Sequence, residues 1–260
     1  MFSDAARTFF ASKGWVRKAL IGTLISLIPY VGAFVIYGYG LELNRRVAWG
    51  TSDELPEWDS FSVYLKRGFF GFLVAMVYSL PATLITSVLA GLLSLAFGAG
   101  IYGGASMAVF FALFMVGIVV LLLLGSAAVM PFMYSGLIHY NLYDALGQGL
   151  AFKAVWARMK ENRSLLMSTT WRTIGYMTAV TLLIFVGMTP YFLFLGTIIT
   201  DPRMAADPTG ALGYLGLQAV FAIAYPFVMF GSFIGSQMVW IMWGRYAREA
   251  YGLAGAPTQG

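Results

Sequence analysis

The chain has 260 residues, of which 60% are hydrophobic and 10% charged, with a formal net charge of +5. Soluble domains carry about 25% charged residues, so this composition points to a chain housed in lipid. Cysteine is absent and there is 1 histidine, which excludes disulfides, thiolate metal sites, Fe–S clusters, cysteine nucleophiles and histidine-rich metal centres.

Residues 1–18 carry Arg7, Lys13, Arg17 and Lys18 and read as a cytoplasmic N-terminal segment. The apolar stretch that follows imitates a secretory signal, but Pro29 interrupts it and retention is expected. Over residues 19–40, Pro29 lies near the middle, flanked by Tyr30 and Gly32. Proline removes a backbone donor and clashes with the preceding turn. Two half-helices of about ten residues reach only about 15 Å at 1.5 Å per residue, roughly half of a hydrocarbon core. The segment is therefore expected to be a re-entrant or Pro-broken hairpin, with a Pro-kinked full span as the alternative.

Arg45 and Arg46 follow, and then Leu55-Pro56-Glu57-Trp58-Asp59. Residues 55–67 are expected to form an interfacial helix, capped by Asp59 or Ser60, with Trp58, Phe61 and Leu65 as its apolar stripe and Lys66 and Arg67 beyond it. From Gly68 to Tyr143 no Lys, Arg, Asp or Glu occurs. That run is too long for one crossing of about 20 residues and reads as two, 69–90 and 109–133. Residues 152–163 form a basic amphipathic helix, with Phe152, Val155, Trp156 and Met159 on one side and Lys153, Arg158, Lys160 and Arg163 on the others. Crossings at 173–198 and 215–242 complete four transmembrane helices, and 243–260 is a tail. The whole is one membrane domain, an all-α polytopic membrane protein.

Basic residues near span ends stay cytoplasmic. With a re-entrant first segment, all but Arg203 of the 16 Lys and Arg residues lie on one side. A full crossing would move Arg7, Lys13, Arg17 and Lys18 to the other. Both termini are thus expected in the cytoplasm. The basic clusters abut apolar segments, which suits anionic lipid headgroups and not nucleic acid. The contact set is Arg45, Arg46, Trp58, Lys66, Arg67, Lys153, Arg158, Lys160 and Arg163. Prolines recur in the proposed crossings, and Met130 to Gly136 looks like Tyr225 to Gly231, a weak sign of two parallel hairpin repeats.

Leu27-Ile28-Pro29-Tyr30-Val31-Gly32, Gly38-Tyr39, Arg45-Arg46-Val47 and Leu55-Pro56-Glu57-Trp58-Asp59, then Gly68 and Pro81, resemble the uncharacterised prokaryotic membrane family known as domain of unknown function 4013. The resemblance implies a small polytopic protein of the prokaryotic cytoplasmic membrane and carries no catalytic residues.

Chemistry inside membrane spans usually shows as buried ionisable groups, and none of the four proposed crossings contains one. His139 near Asp144, and the carboxylates Asp53, Glu54, Glu57 and Asp59, read as interfacial or loop residues, so no catalytic residue, metal or cofactor is expected. Gly231 and Gly235 form G-x-x-x-G, a helix-packing motif. The expectation is a non-enzymatic scaffold, accessory subunit or assembly or membrane-shaping component, a homo-oligomer or part of a membrane complex. A passive carrier or channel for a lipid or other apolar solute is the alternative.

Overall fold

A computed structural model describes residues 2–52, 54–102, 107–200 and 208–253, and among them every regular element is a helix. In chain order these are α1 (Phe2–Ala11), α2 (Trp15–Ser26), α3 (Val31–Trp49), α4 (Phe61–Tyr102), α5 (Met107–Tyr143), α6 (Leu146–Gly149), α7 (Phe152–Glu161), α8 (Arg163–Thr200) and α9 (Pro208–Ala250). The segments 69–90, 109–133, 173–198 and 215–242 fall inside α4, α5, α8 and α9, each of which extends further toward the charged clusters. Among the described residues, two stretches are long and apolar enough to cross a membrane, Phe61–Leu95 and Gln218–Ala250. Only 11% and 12% of their apolar windows are buried, whereas an interior helix of a soluble domain would be largely covered.

The chain does break at the proline. α2 ends at Ser26, α3 begins at Val31, and Tyr30 takes φ 60 between them. One continuous kinked helix does not form. The halves are longer than expected, 12 and 19 residues, because α2 starts before the apolar stretch and α3 runs through Arg45 and Arg46. The turn is apolar and open, with Leu27, Ile28 and Val31 exposed and Tyr30 at 84% exposure.

Two expected boundaries shift. Residues 61–67 are the first turns of α4 and not a separate surface helix, because nothing between Ser60 and Gly68 interrupts helical hydrogen bonding. Residues 55–60 precede that helix as an irregular string. The tail expected from 243 onward is helical to Ala250: Trp243, Tyr246, Ala247 and Ala250 recur at helical spacing and are all buried. Left-handed Gly252 then ends it, with the Leu253 amide donating to the Arg248 carbonyl at 2.9 Å. Residues 254–260, 201–207 and 103–106 lie outside the described residues.

Helix α3 is the central strut, packed on α4 and α9 with α2 and α5 beside it. Glycine sets how closely it approaches them. A Cβ at Gly38 would strike the Tyr64 carbonyl, and one at Gly68 the Phe34 carbonyl, so α3 and α4 meet backbone to backbone. Gly40 lies on the Trp240 indole, and a Cβ at Gly244 would meet the Asn44 carbonyl and Val47. Polar cross-ties fix the register. Asn44 Nδ2 donates to the Trp240 carbonyl at 3.1 Å, and Asn141 Nδ2 to the Leu41 carbonyl at 2.7 Å and to Asn44 Oδ1 at 3.1 Å.

Burial divides the molecule into two zones. Toward the charged clusters, α1–α3, α6 and α7 pack with the ends of the long helices, around Tyr39, Tyr64, Trp243 and Tyr246 among others. Away from them many large apolar side chains are open, among them Leu84, Val88 and Leu92 of α4, Val116 and Leu124 of α5, and Leu215 and Val220 of α9, interspersed with exposed Thr83, Ser87 and Ser94. The resemblance between Met130–Gly136 and Tyr225–Gly231 stops at this division: Gly136 lies against the Tyr78 ring, whereas Gly231 has open space around it.

Candidate functional site

The Leu55-Pro56-Glu57-Trp58-Asp59 string follows an irregular path whose backbone groups need partners, and it obtains them from four directions. Lys18 Nζ donates to the Leu55 carbonyl at 2.7 Å, the Tyr39 hydroxyl to the Pro56 carbonyl at 2.9 Å, and the Tyr64 hydroxyl to the Glu57 carbonyl at 2.6 Å. The Leu55 amide donates to Ser12 Oγ at 3.1 Å. Trp58 turns inward, stacked on Tyr39 at 4.1 Å between centroids with its indole N–H on the Lys18 carbonyl at 2.9 Å. The indole therefore serves as a packing wedge between α2 and α3, with its donor taken up by α2. Glu57 pairs with Lys18 at 2.7 Å and Asp59 Oδ1 accepts from the Ser60 hydroxyl at 3.1 Å. Both carboxylates thus hold local partners, and Asp53 lies outside the described residues.

Beside this junction, α3, α4 and the end of α5 enclose a cleft of about 730 Å³ lined by Glu42, Arg45, Arg46, Trp49, Thr51, Ser60, Tyr64, Arg67 and Tyr143, among others. An adjoining cleft of about 460 Å³ shares Val63 and Arg67 with it and adds Lys66, Tyr140 and Asp144. Glu42 orders the cations. It accepts from Arg46 Nε at 2.8 Å one turn along α3, and from the Arg67 guanidinium. Asp144 holds the other side, 3.3 Å from Arg45 and 3.4 Å from Arg67. It does so from a left-handed position, φ 51, directly after α5. Arg67 is the buried centre, its side chain 10% exposed. Four of the expected lipid-contact residues, Arg45, Arg46, Lys66 and Arg67, therefore meet at one place. Sequence reasoning misses Glu42, although its i,i+4 spacing to Arg46 is the available signal.

The other basic set surrounds α7. Val155 and Met159 turn into the core, while Phe152 and Trp156 stay open, against Tyr78 at 5.0 Å and stacked on Phe132 at 5.6 Å. Lys153 borders this aromatic groove. Lys160 Nζ lies 5.2 Å over the Trp156 ring, and Arg158 pairs with Glu161 at 3.0 Å while covering Tyr251. Arg163 is exposed at the start of α8.

The two packing glycines separate. Gly235 lies against the Tyr176 hydroxyl of α8, inside the molecule, whereas a Cβ at Gly231 meets nothing. His139 and Asp144 do not form a catalytic pair either, since Asp144 binds arginines and His139 Nδ1 lies 3.0 Å from the Gln148 carbonyl. A carbonyl only accepts, so Nδ1 carries the proton. Burial pushes the His139 pKa down; the Gln148 bond opposes this, and nearby Arg158 adds to it. Among the described residues no group of three or more His, Asp or Glu side chains is placed to hold a metal ion.

Comparison with protein families matches residues 21–193 to a family described as a protein of unknown function, DUF4013. The match runs from within α2 to within α8 and includes the string and both walls of the cleft. No curated protein and no solved structure matches the chain.

Proposed function

The chain belongs to the DUF4013 family, and we propose that this member is a non-enzymatic integral membrane component, a scaffold or accessory subunit that acts through helix packing and lipid contact. The two-zone burial carries this reading. The outer halves of the long helices offer apolar side chains and, by sequence, no charge within 69–90, 109–133, 173–198 or 215–242. A surface of that kind is at home in hydrocarbon and not in water. The charged zone then lies at the cytoplasmic interface, with the α2–α3 turn dipping into the apolar layer and α7 along the headgroups.

The test of role is purification from the native membrane in mild detergent. A stoichiometric membrane partner, or a defined homo-oligomer, is the expected result. A monodisperse monomer that conducts a solute in proteoliposomes would replace this reading with a carrier. Topology has its own test. Cysteines at the exposed positions Ser3 and Thr51 should both be shielded from an impermeant thiol reagent in intact cells, while one at exposed Gly213 should react. Labelling at Ser3 and Gly213 but not at Thr51 would mean that the α2–α3 segment crosses.

A further inference from the structure

We propose that the cleft between α3, α4 and the end of α5 is a phosphate-binding site, and that it takes the phosphate of an anionic lipid headgroup. The inference rests on the membrane reading above for the source of the ligand, and on the cleft's own geometry for its chemistry.

The cleft and its smaller neighbour carry Arg45, Arg46, Lys66 and Arg67 against Glu42 and Asp144, an excess of two positive charges that a doubly ionised phosphate monoester, as in phosphatidic acid, neutralises. Its volume of about 730 Å³ is in the range of ligand sites, about 300–1,000 Å³. The three arginines are each tied to a carboxylate. Glu42 engages Arg46 only through Nε, and among the described residues the terminal amino groups of Arg46 donate to no protein acceptor. That is the fork with which arginine grips phosphate oxygens. Lys66 has no ion pair among the described residues. Tyr143 adds a hydroxyl-bearing side chain to the same wall. Lipid is favoured over solute because the face of α4 that carries Lys66 continues into the apolar zone with Phe69, Val77 and Leu80, all open, so a headgroup held at Lys66 leaves its acyl chains beside that face. A cluster serving only to fix topology would need neither the carboxylate ordering nor the enclosure.

The whole protein in detergent is titrated with dihexanoyl phosphatidic acid, with dihexanoylglycerol, which lacks the phosphate, and with inorganic phosphate, binding being read by isothermal titration calorimetry. Phosphatidic acid should bind and dihexanoylglycerol should not. Arg46→Gln should weaken binding about tenfold or more, the effect of losing one charge-assisted contact, with Arg46→Lys intermediate because it keeps charge without the fork. Arg7→Gln, an equal charge change at an exposed position on α1, should alter it less than about twofold. Lys66→Gln repeats the test at an exposed residue if Arg46→Gln lowers the melting temperature. Inorganic phosphate that binds as tightly as the lipid assigns the site to soluble phosphate, and weak inorganic phosphate assigns it to lipid; either supports a phosphate site. Equal weakening by Arg7→Gln, unchanged binding in folded Arg46→Gln and Lys66→Gln, or equal binding of dihexanoylglycerol overturns it. None of these outcomes depends on partners or sidedness, so the scaffold reading stands or falls separately.

Discussion

Lys18 is a cation buried to 5% exposure at a point where α2 passes the irregular string. Its ammonium has two partners of different character, the buried Leu55 carbonyl and Glu57, whose side chain is 70% exposed. Losing a partner for a buried backbone acceptor costs about 1–3 kcal/mol, whereas an ion pair open to water contributes about 0–1 kcal/mol. Lys18→Met should therefore lower the melting temperature in detergent clearly more than Glu57→Gln, and the reverse order would mean that the ion pair dominates. His139 makes a second residue-level case. Its pKa in the folded protein is depressed below that of the unfolded chain, chiefly by burial. Its contribution to stability is complete above the unfolded value of about 6.5 and is lost as pH falls through the lower folded value. Melting temperatures taken from pH 7.5 down to 5 should fall more in the parent protein than in His139→Gln. Parallel profiles would show that His139 does not set the slope.

At the scale of elements, the contact between α3 and α4 is the closest approach, and its glycines are specific to it. Gly38→Ala and Gly68→Ala each push a methyl into a neighbouring carbonyl, at a cost of about 1–3 kcal/mol typical of overpacking. Gly231→Ala meets open space and should be neutral or slightly stabilising in an exposed helix position. A urea or SDS unfolding series over the three variants reads the order, and equal destabilisation by Gly231→Ala would mean that this face is covered in the protein as purified. Long apolar periods made the four long helices legible in sequence, and Pro29 made the break between α2 and α3 legible. The interior role of Trp58 was not legible, because a tryptophan beside basic residues reads equally well as a headgroup anchor, and only the Tyr39 ring and the Lys18 carbonyl decide its direction. The 55–67 helix failed as an expectation for a related reason: Ser60 starts a helix correctly, but nothing local reveals that it continues for 42 residues. The cleft was half legible. Its cations stood out as clusters, while Glu42 was hidden by its position just after an apolar run, and Asp144 meets Arg45 only through the fold.

Taken whole, the molecule is held together by α3: on one side the hydrogen bonds are met by residues that precede α5, although Phe233, Met238, Ile241 and Met242 of α9 share the core there, while the other side has neither without α9. Ser12, Lys18, Tyr39, Tyr64 and the 55–60 string satisfy one another within the first part of the chain. The opposite side of α3 waits for α9. There Trp240 fills the groove at Gly40 and accepts from Asn44, and Arg248 Nε donates to the Val47 carbonyl at 2.8 Å, capping the end of α3. This imposes an order on biogenesis. While the ribosome is still making α5 to α8, α3 carries a bare furrow and the unmet amide of Asn44, features that membrane quality-control proteases and insertion chaperones recognise. Arrival of α9 removes both together, so the late helix certifies the early one. A chain stopped before Pro208 should insert yet be cleared much faster than the full chain in a pulse-chase experiment. Supplying α9 as a separate polypeptide should restore its lifetime.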